Sequence, residues 1–384
     1  MTKRQRTLLF FAAATLFLLT TPAVVLYSQG WRVDWDHKTV THTGGVYVRV
    51  TPPRASIFVD DGFVKRTDFF FDSALITDLL PGEYHLRIEK EGYIPWKKTL
   101  SVQSSQVTEA KEVILFPEDI EFQTLFSNVL KASLSPNSIL FAFQKKLDEK
   151  TWELTAWDIE NKKEEVLFDA PFGTQWESLQ WSKDSKKILL TIRKGDKLQY
   201  LIWNVQENEA EPCVKTPCTL DFLGTDISQP MFSPANSQEI LFSKVVAGSP
   251  TLQKTDYVAR QGITTIEEDT VTPEMLPSGI ESPDRKKLAF VNDSRLMVFF
   301  FETKRQVLLG TFTQVPKSLS WLLNEHVFFS SGDSINVAEL DTRGASNIVQ
   351  LGTFKNAELS WNPEQKSLFV LSEGKFLVSE KLLP

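Results

Sequence analysis

Histidine and cysteine are scarce in this chain. Its 384 residues hold four histidines, His37, His42, His85 and His326, and two cysteines, Cys213 and Cys218. Catalysis needs groups that converge on one point, and a zinc tetrad or a disulfide framework cannot be assembled from two cysteines. The nucleophile elbow G-x-S-x-G is missing. So are H-E-x-x-H, a phosphate loop and an EF-hand calcium loop. His37 and His42 precede the first β-rich segment, His85 alternates within a strand, and His326 falls in the turn Asn324-Glu325-His326. Each reads as a surface or satisfied histidine. The expectation is a protein without catalytic residues, metal or cofactor, and not an enzyme.

Positive charge is also in short supply away from the N-terminus. The net charge is −7; residues 1–45 contribute +3 (five basic, two acidic), residues 46–102 contribute zero (eight of each), and the remainder is therefore −7 − 3 − 0 = −10. An acidic distal region argues against a nucleic-acid role, which needs clustered Lys and Arg. Hydrophobic content of 42% and charged content of 24% are ordinary for a folded chain.

Charge is absent altogether from residues 7–27, TLLFFAAATLFLLTTPAVVLY. A helix of that length spans roughly 30 Å, the thickness of a bilayer core. Lys3, Arg4 and Arg6 precede it, and positive flanking charge keeps that end in the cytoplasm. The run is longer than the apolar region of a cleaved signal and lacks a small-x-small site after it, which favours an uncleaved signal anchor over a cleaved signal. The division that follows is a cytoplasmic tail (1–6), a transmembrane helix (7–27) and a juxtamembrane linker (28–45), with everything beyond lying extracytoplasmic. Tyr27, Trp31 and Trp35 are four residues apart and share one face if the helix continues. They suit the headgroup layer as membrane-interface aromatics; the alternative is that Trp31 and Trp35 pack on the first β-domain.

Period-2 alternation begins at Val46-Tyr47-Val48-Arg49-Val50 and Ser56-Ile57-Phe58-Val59. Asp60-Asp61-Gly62 and Leu80-Pro81-Gly82-Glu83 are turn signals. Tyr84 to Ile88, Trp96 to Val102 and Val113 to Phe116 supply further strands. Short strands with tight turns over residues 46–116 predict a small β-sandwich. Phe69-Phe70-Phe71 stands out within it. It reads either as an edge strand burying Phe69 and Phe71, or as an exposed aromatic interaction patch.

Specific residues give this segment a family resemblance. Pro53 and Ala55, then Val59, Asp61 and Gly62, then Leu79-Leu80-Pro81-Gly82-Glu83-Tyr84, and finally Lys90-Glu91-Gly92-Tyr93 with Trp96, follow one another in the order of the PEGA family's motifs. The segment resembles a PEGA domain, departing from the pattern at Arg66, where the family often has Gly, and Asp68, where it often has Pro. The resemblance implies a prealbumin-like sandwich at a surface or envelope, with no catalysis and no settled ligand.

From residue 118 to 384 a short pattern recurs: an apolar or serine start, an aromatic or Ser, a polar turn and an apolar strand. Anchored on Ser135, Trp181, Phe232, Ser282, Trp321 and Trp361, the copies step by 46, 51, 50, 39 and 40 residues. Repeats of this length with several strands each predict a β-propeller, here of six blades. Ile120 to Phe126 precedes the first copy and is expected to give the last blade its outer strand, closing the ring and removing a long free edge. Turns such as Ser282-Pro283-Asp284-Arg285-Lys286-Lys287 resemble those of TolB-like and WD-repeat-like propellers. Trp181, Trp321 and Trp361 recur in register, which marks them as packing residues. Cys213 and Cys218, in CVKTPC, read as a local disulfide across a turn if this region is exported, or as two thiols; the spacing is wider than that of redox C-x-x-C pairs.

The fold class read from the sequence is all-β apart from one N-terminal transmembrane helix: a PEGA-like β-sandwich (46–116) followed by a six-bladed β-propeller (118–384). The functional expectation is a non-catalytic cell-envelope protein on a single-pass anchor in the cytoplasmic membrane, N-terminus inside. Sandwich and propeller would bind or scaffold an envelope glycan or protein partner. The competing reading is an envelope glycan hydrolase or lyase using carboxylates at the propeller channel, which requires acidic residues clustered on the axis. A sensor is a third reading, and six cytoplasmic residues would leave its output to a partner protein.

Overall fold

The computed structural model of the protein describes residues 3–384 apart from 36–37, 69, 206–211, 215, 225–226, 234–235, 247–248, 259–260, 266–278 and 345. His37 and Phe69 thus lie outside the described residues.

The uncharged run forms the helix Lys3–Ser28. Its apolar portion, Gln5–Ser28, is the one helix among the described residues long and apolar enough to cross a bilayer, and none of it is buried against the rest of the chain. The helix does not continue through Trp31 and Trp35. Gly30, at φ 89°, terminates it, because a left-handed backbone is open to glycine at little cost. Trp31–Asp34 and Thr39–His42 then pair as an antiparallel hairpin. The spacing of four therefore places Tyr27, Trp31 and Trp35 on no common helical face. Tyr27 lies under the Arg32 guanidinium at 3.5 Å, Trp31 packs on His42 with ring centroids 4.0 Å apart, and Trp35 is 81% exposed. Segment 28–45, expected as a linker, carries this hairpin instead. Arg32 pins it to the sandwich through Asp78 at 2.6 Å.

The sandwich has two sheets. One is ordered Ser73–Leu79, Gly44–Thr51, Val107–Ile114; the other Gly62–Arg66, Ser56–Val59, Gly82–Glu89, Trp96–Val102. Gly44–Thr51 runs parallel to Val107–Ile114, and every other sandwich pair is antiparallel. Alternation sends Val46, Val48 and Val50 inward to meet Ile57, Leu86, Ile88 and Leu100. The turn Asp60-Asp61 sits at positive φ, which Asp tolerates because its short side chain bonds locally.

The remaining strands form six four-stranded sheets. Their first strands are Val129–Leu134, Thr174–Trp181, Ile227–Phe232, Gly279–Glu281, Lys317–Leu322 and Glu358–Asn362. Five sheets are built from consecutive strands. In the sixth, Phe122–Ser127 pairs with Lys375–Ser379, so the start of the repeat region completes the last sheet. First strands of the second and third, the fourth and fifth, and the fifth and sixth sheets touch, which places them on the inside. Apolar clusters tie the first sheet to the second, the second to the third, the fourth to the fifth, the fifth to the sixth, and the sixth back to the first. The body is propeller-like.

The repeated turn explains how the sheets are held in line. Ser182 donates to Asp184 at 2.6 Å and accepts from the Lys187 N–H at 2.9 Å. Ser282 does the same with Asp284 and Lys287 at 2.5 and 3.0 Å, and Ser135 with Asn137 and Leu140 at 2.8 and 2.9 Å. Each turn then reaches a neighbour. The Asn137 N–H donates to Ser185, Ser237 to Asp184, the Asp284 N–H to Asn324, and Asn362 to the Ser138 carbonyl. Burial works against ionisation of Asp184, but hydrogen bonds from Ser182, Ser237 and the Lys186 N–H hold its carboxyl below the usual range. Two of the in-register tryptophans act alike: Trp181 donates to the Ser133 carbonyl at 3.2 Å and Trp321 to the Ile280 carbonyl at 3.0 Å, each in the preceding sheet. Trp361 is as buried as Trp321, but its ring N–H has no partner among the described residues.

Candidate binding surfaces

The four-stranded sheet of the sandwich has two edges with opposite fates. Strand Trp96–Val102 is docked on the fifth sheet of the ring. Its inward set is Trp96, Lys98, Leu100 and Val102, so the alternation that fills the core also turns a lysine inward. The Lys98 side chain is 0% exposed and lies 3.2 Å from Glu339 Oε2 and 3.7 Å from Asp341 Oδ2. Its ammonium also donates to the Asp341 carbonyl oxygen. Trp96 Nε1 and Asn347 Nδ2 each donate to Glu339 Oε2 at 2.9 Å. Arg343 grips Asp341 with two parallel bonds, 2.9 Å to Oδ1 and 2.6 Å to Oδ2, and reaches the Glu109 carbonyl at 2.8 Å. Burial pushes the Asp341 carboxyl up, but the Arg343 bonds and the Lys98 charge outweigh it and leave it below the ordinary carboxylate range.

Apolar packing completes this joint. Ile114 and Phe116, at the exit of the sandwich, join Leu322, Phe328, Ile335 and Trp361 in one cluster. Gly344, at φ 68°, lies so close that an added Cβ would stand 2.8 Å from the Thr99 carbonyl oxygen. Of the two readings of His326, surface or satisfied, the surface one fails, and the residue does not lie in the turn expected for it. It opens the strand His326–Ser331, is buried, and faces the Phe116 ring at 6.4 Å. Burial, with Lys98 adding repulsion, pushes its pKa down to about 3, so the imidazole is neutral.

At the opposite edge, every residue of Gly62–Arg66 is exposed. Phe63 is 58% exposed, and in the turn that follows Phe70 and Phe71 are 81% and 77% exposed. Of the two readings of the aromatic triplet, the edge strand that buries Phe71 does not hold. The strand ends at Arg66, Thr67 closes back on Ala55 through two hydrogen bonds, and Asp68 Oδ1 accepts from the Phe70 and Phe71 N–H groups at 2.7 and 3.2 Å. The segment is a turn between the two sheets, and it turns these aromatics outward. A free strand edge beside aromatic side chains can take an added strand or an apolar anchor.

Other candidate groups are scattered. His42 packs on Trp31, and His85 Nδ1 is 2.9 Å from Thr99 Oγ1. The Cys213 and Cys218 sulfurs are bonded, with Cα atoms 5.2 Å apart. Among the described residues no three His, Cys, Asp or Glu side chains converge as a metal would require. Among the described residues, the carboxylate that lines the cavity at the inner strands of the ring is Glu358.

Lys98, Glu339, Asp341 and Arg343 were not singled out by sequence reasoning. The signal was present for Lys98: a lysine at an inward position of a strongly alternating strand.

With this geometry in place, the sandwich can be compared with known proteins. Residues 43–114 match the PEGA domain family. The match takes in all seven sandwich strands, both edges of the four-stranded sheet, and Trp96, Lys98 and Ile114 of the joint. No curated protein matches the chain. Among solved structures, TolB from Acinetobacter baumannii is similar at 14% identity and TM-score 0.34, over 79% of this chain and 78% of that one. An auxiliary nutrient binding protein from Bacteroides thetaiotaomicron is similar at 10% identity and TM-score 0.40, over 85% and 90%. The Cps50 (Swd1) β-propeller domain from Myceliophteria thermophila is similar at 11% identity and TM-score 0.39, over 67% and 99%.

Proposed function

We propose that this is a non-catalytic cell-envelope protein held in the cytoplasmic membrane by an uncleaved N-terminal helix. Residues 1–6 face the cytoplasm, 7–27 span the bilayer, and the PEGA sandwich and the ring face the other side. Its role is to hold an envelope glycan or protein partner at a fixed distance from the membrane. The Cys213–Cys218 bond fits an oxidising compartment. The observation that carries this reading is the buried joint centred on Lys98. A charge taken out of water costs several kcal/mol unless paired and hydrogen-bonded, so a lysine seated this way makes sandwich and ring act as one body. With the hairpin also pinned at Asp78, a partner bound at the aromatic edge is positioned relative to the membrane rather than tethered loosely.

The test is capture by the full chain in detergent micelles, run separately against isolated wall polymer and solubilised membrane proteins. Retention of either, abolished in a Phe70→Ser/Phe71→Ser variant, supports a binding role through the free edge. Turnover of wall polymer by the purified chain would support the hydrolase reading and end this one.

A further inference from the structure

A cavity of about 780 Å³ opens where the first strands of the fifth, sixth and first sheets meet, within the range of small-molecule sites. Its charged residues are Lys317 and Glu358, on neighbouring strands that touch. Those strands are locked at this level by the Leu359 N–H donating to Ser318 Oγ at 2.5 Å. Residues next in sequence to that bond, Lys317 and Glu358, nevertheless form no ion pair with each other or with any other described residue. Lys131 acts on Glu358 only at longer range, since its ammonium donates to the Trp176 carbonyl. Ser318 sits at φ 49° in a bulge that interrupts the pairing between Lys317 and Ser320, a device that re-aims side chains. The Ser318 hydroxyl hydrogen, the Ser360 hydroxyl and the side-chain amides of Gln314 and Asn356 likewise bond no described residue. No aromatic ring lines the cavity, which removes the platform on which a sugar or base would stack.

A cation and an anion on touching strands of one cavity, neither ion-paired with a described residue, complement a ligand that carries both charges. We infer that this cavity binds a small zwitterion of the amino-acid or short-peptide class, its carboxylate on Lys317 and its ammonium on Glu358. The hydroxyls and amides would bond its peptide group. The inference rests on the reading of the ring as a binding module, but not on the aromatic edge.

The experiment is titration calorimetry on the full chain in detergent, with alanyl-alanine as the probe. Saturable binding is expected, weakened at least about tenfold by N-acetylation or by C-terminal amidation of the probe, since each removes one charged hydrogen bond. Glu358→Gln should bind free and N-acetylated probe alike, and Lys317→Gln should bind free and amidated probe alike. Absence of binding at the solubility limit, or binding indifferent to the caps or to both substitutions, overturns the inference. Both variants should retain the wild-type unfolding profile and partner capture at the aromatic edge. A failed titration with capture intact therefore removes only this site, whereas loss of capture in wild type removes the proposed function.

Discussion

The two edges of one sheet in the PEGA sandwich differ in everything but backbone. At Trp96–Val102 a lysine is fully buried and two acidic residues close around it. At Gly62–Arg66 all five residues face solvent. Strand edges are ready templates for pairing, and proteins cover or blunt them. Here one edge is covered by the ring, and the other is left open beside two exposed phenylalanines. The lesson is that a small sandwich can be fixed at one side and presented at the other, with the choice made by a few side chains.

The strongest way to break this comparison is Lys98→Ala. It leaves the Glu339 and Asp341 carboxylates without their shared cation, at a cost of about 3–5 kcal/mol. Calorimetry should then resolve separate unfolding of sandwich and ring. Trp96→Phe removes one hydrogen bond to Glu339, and about 1–2 kcal/mol should be lost in denaturant titration. Acid should act at the same place. The His326 pKa is lowered from 6.5 to about 3, so the folded state resists a proton that the unfolded chain accepts. The associated stability is fully present above the unfolded value and falls as pH drops from 6.5 towards 3, by up to about 1.4 kcal/mol per pH unit. A His326→Phe variant that still packs should lose that slope in a pH series of melts. Phe70→Ser/Phe71→Ser is expected to shift stability by no more than about 0.5 kcal/mol while lowering partner affinity roughly tenfold or more.

Much of this fold was legible in the sequence because it repeats. The uncharged run has a bilayer's length, the turn motifs come in the PEGA order, and the alternation around Val46 to Val50 and the steps between Ser135 and Trp361 carry periods that physics ties to one element. The ring closure by Phe122–Ser127 followed from needing a partner for the last edge. What could not be read was set by contacts far apart in the chain. Lys98 meets Glu339 across 241 positions (339 − 98), and nothing local announces the pair. The helix was expected to end at Tyr27 and ends at Ser28, but the conditional reading that carried it on through Trp31 and Trp35 fails, because a spacing of four between aromatics also occurs by chance and Gly30 was the better signal. His326 looked like a turn residue because Asn324 and Glu325 precede it. The pairing His326↔Leu322 and His326↔Glu339 makes it a buried strand residue instead.

The central claim is that the PEGA sandwich and the ring are one mechanical unit. Differential scanning calorimetry of the intact protein in detergent tests it directly. The account predicts a single cooperative transition covering both parts, which Lys98→Ala splits into two. Two transitions in the unaltered protein, each unchanged by Lys98→Ala, would contradict it.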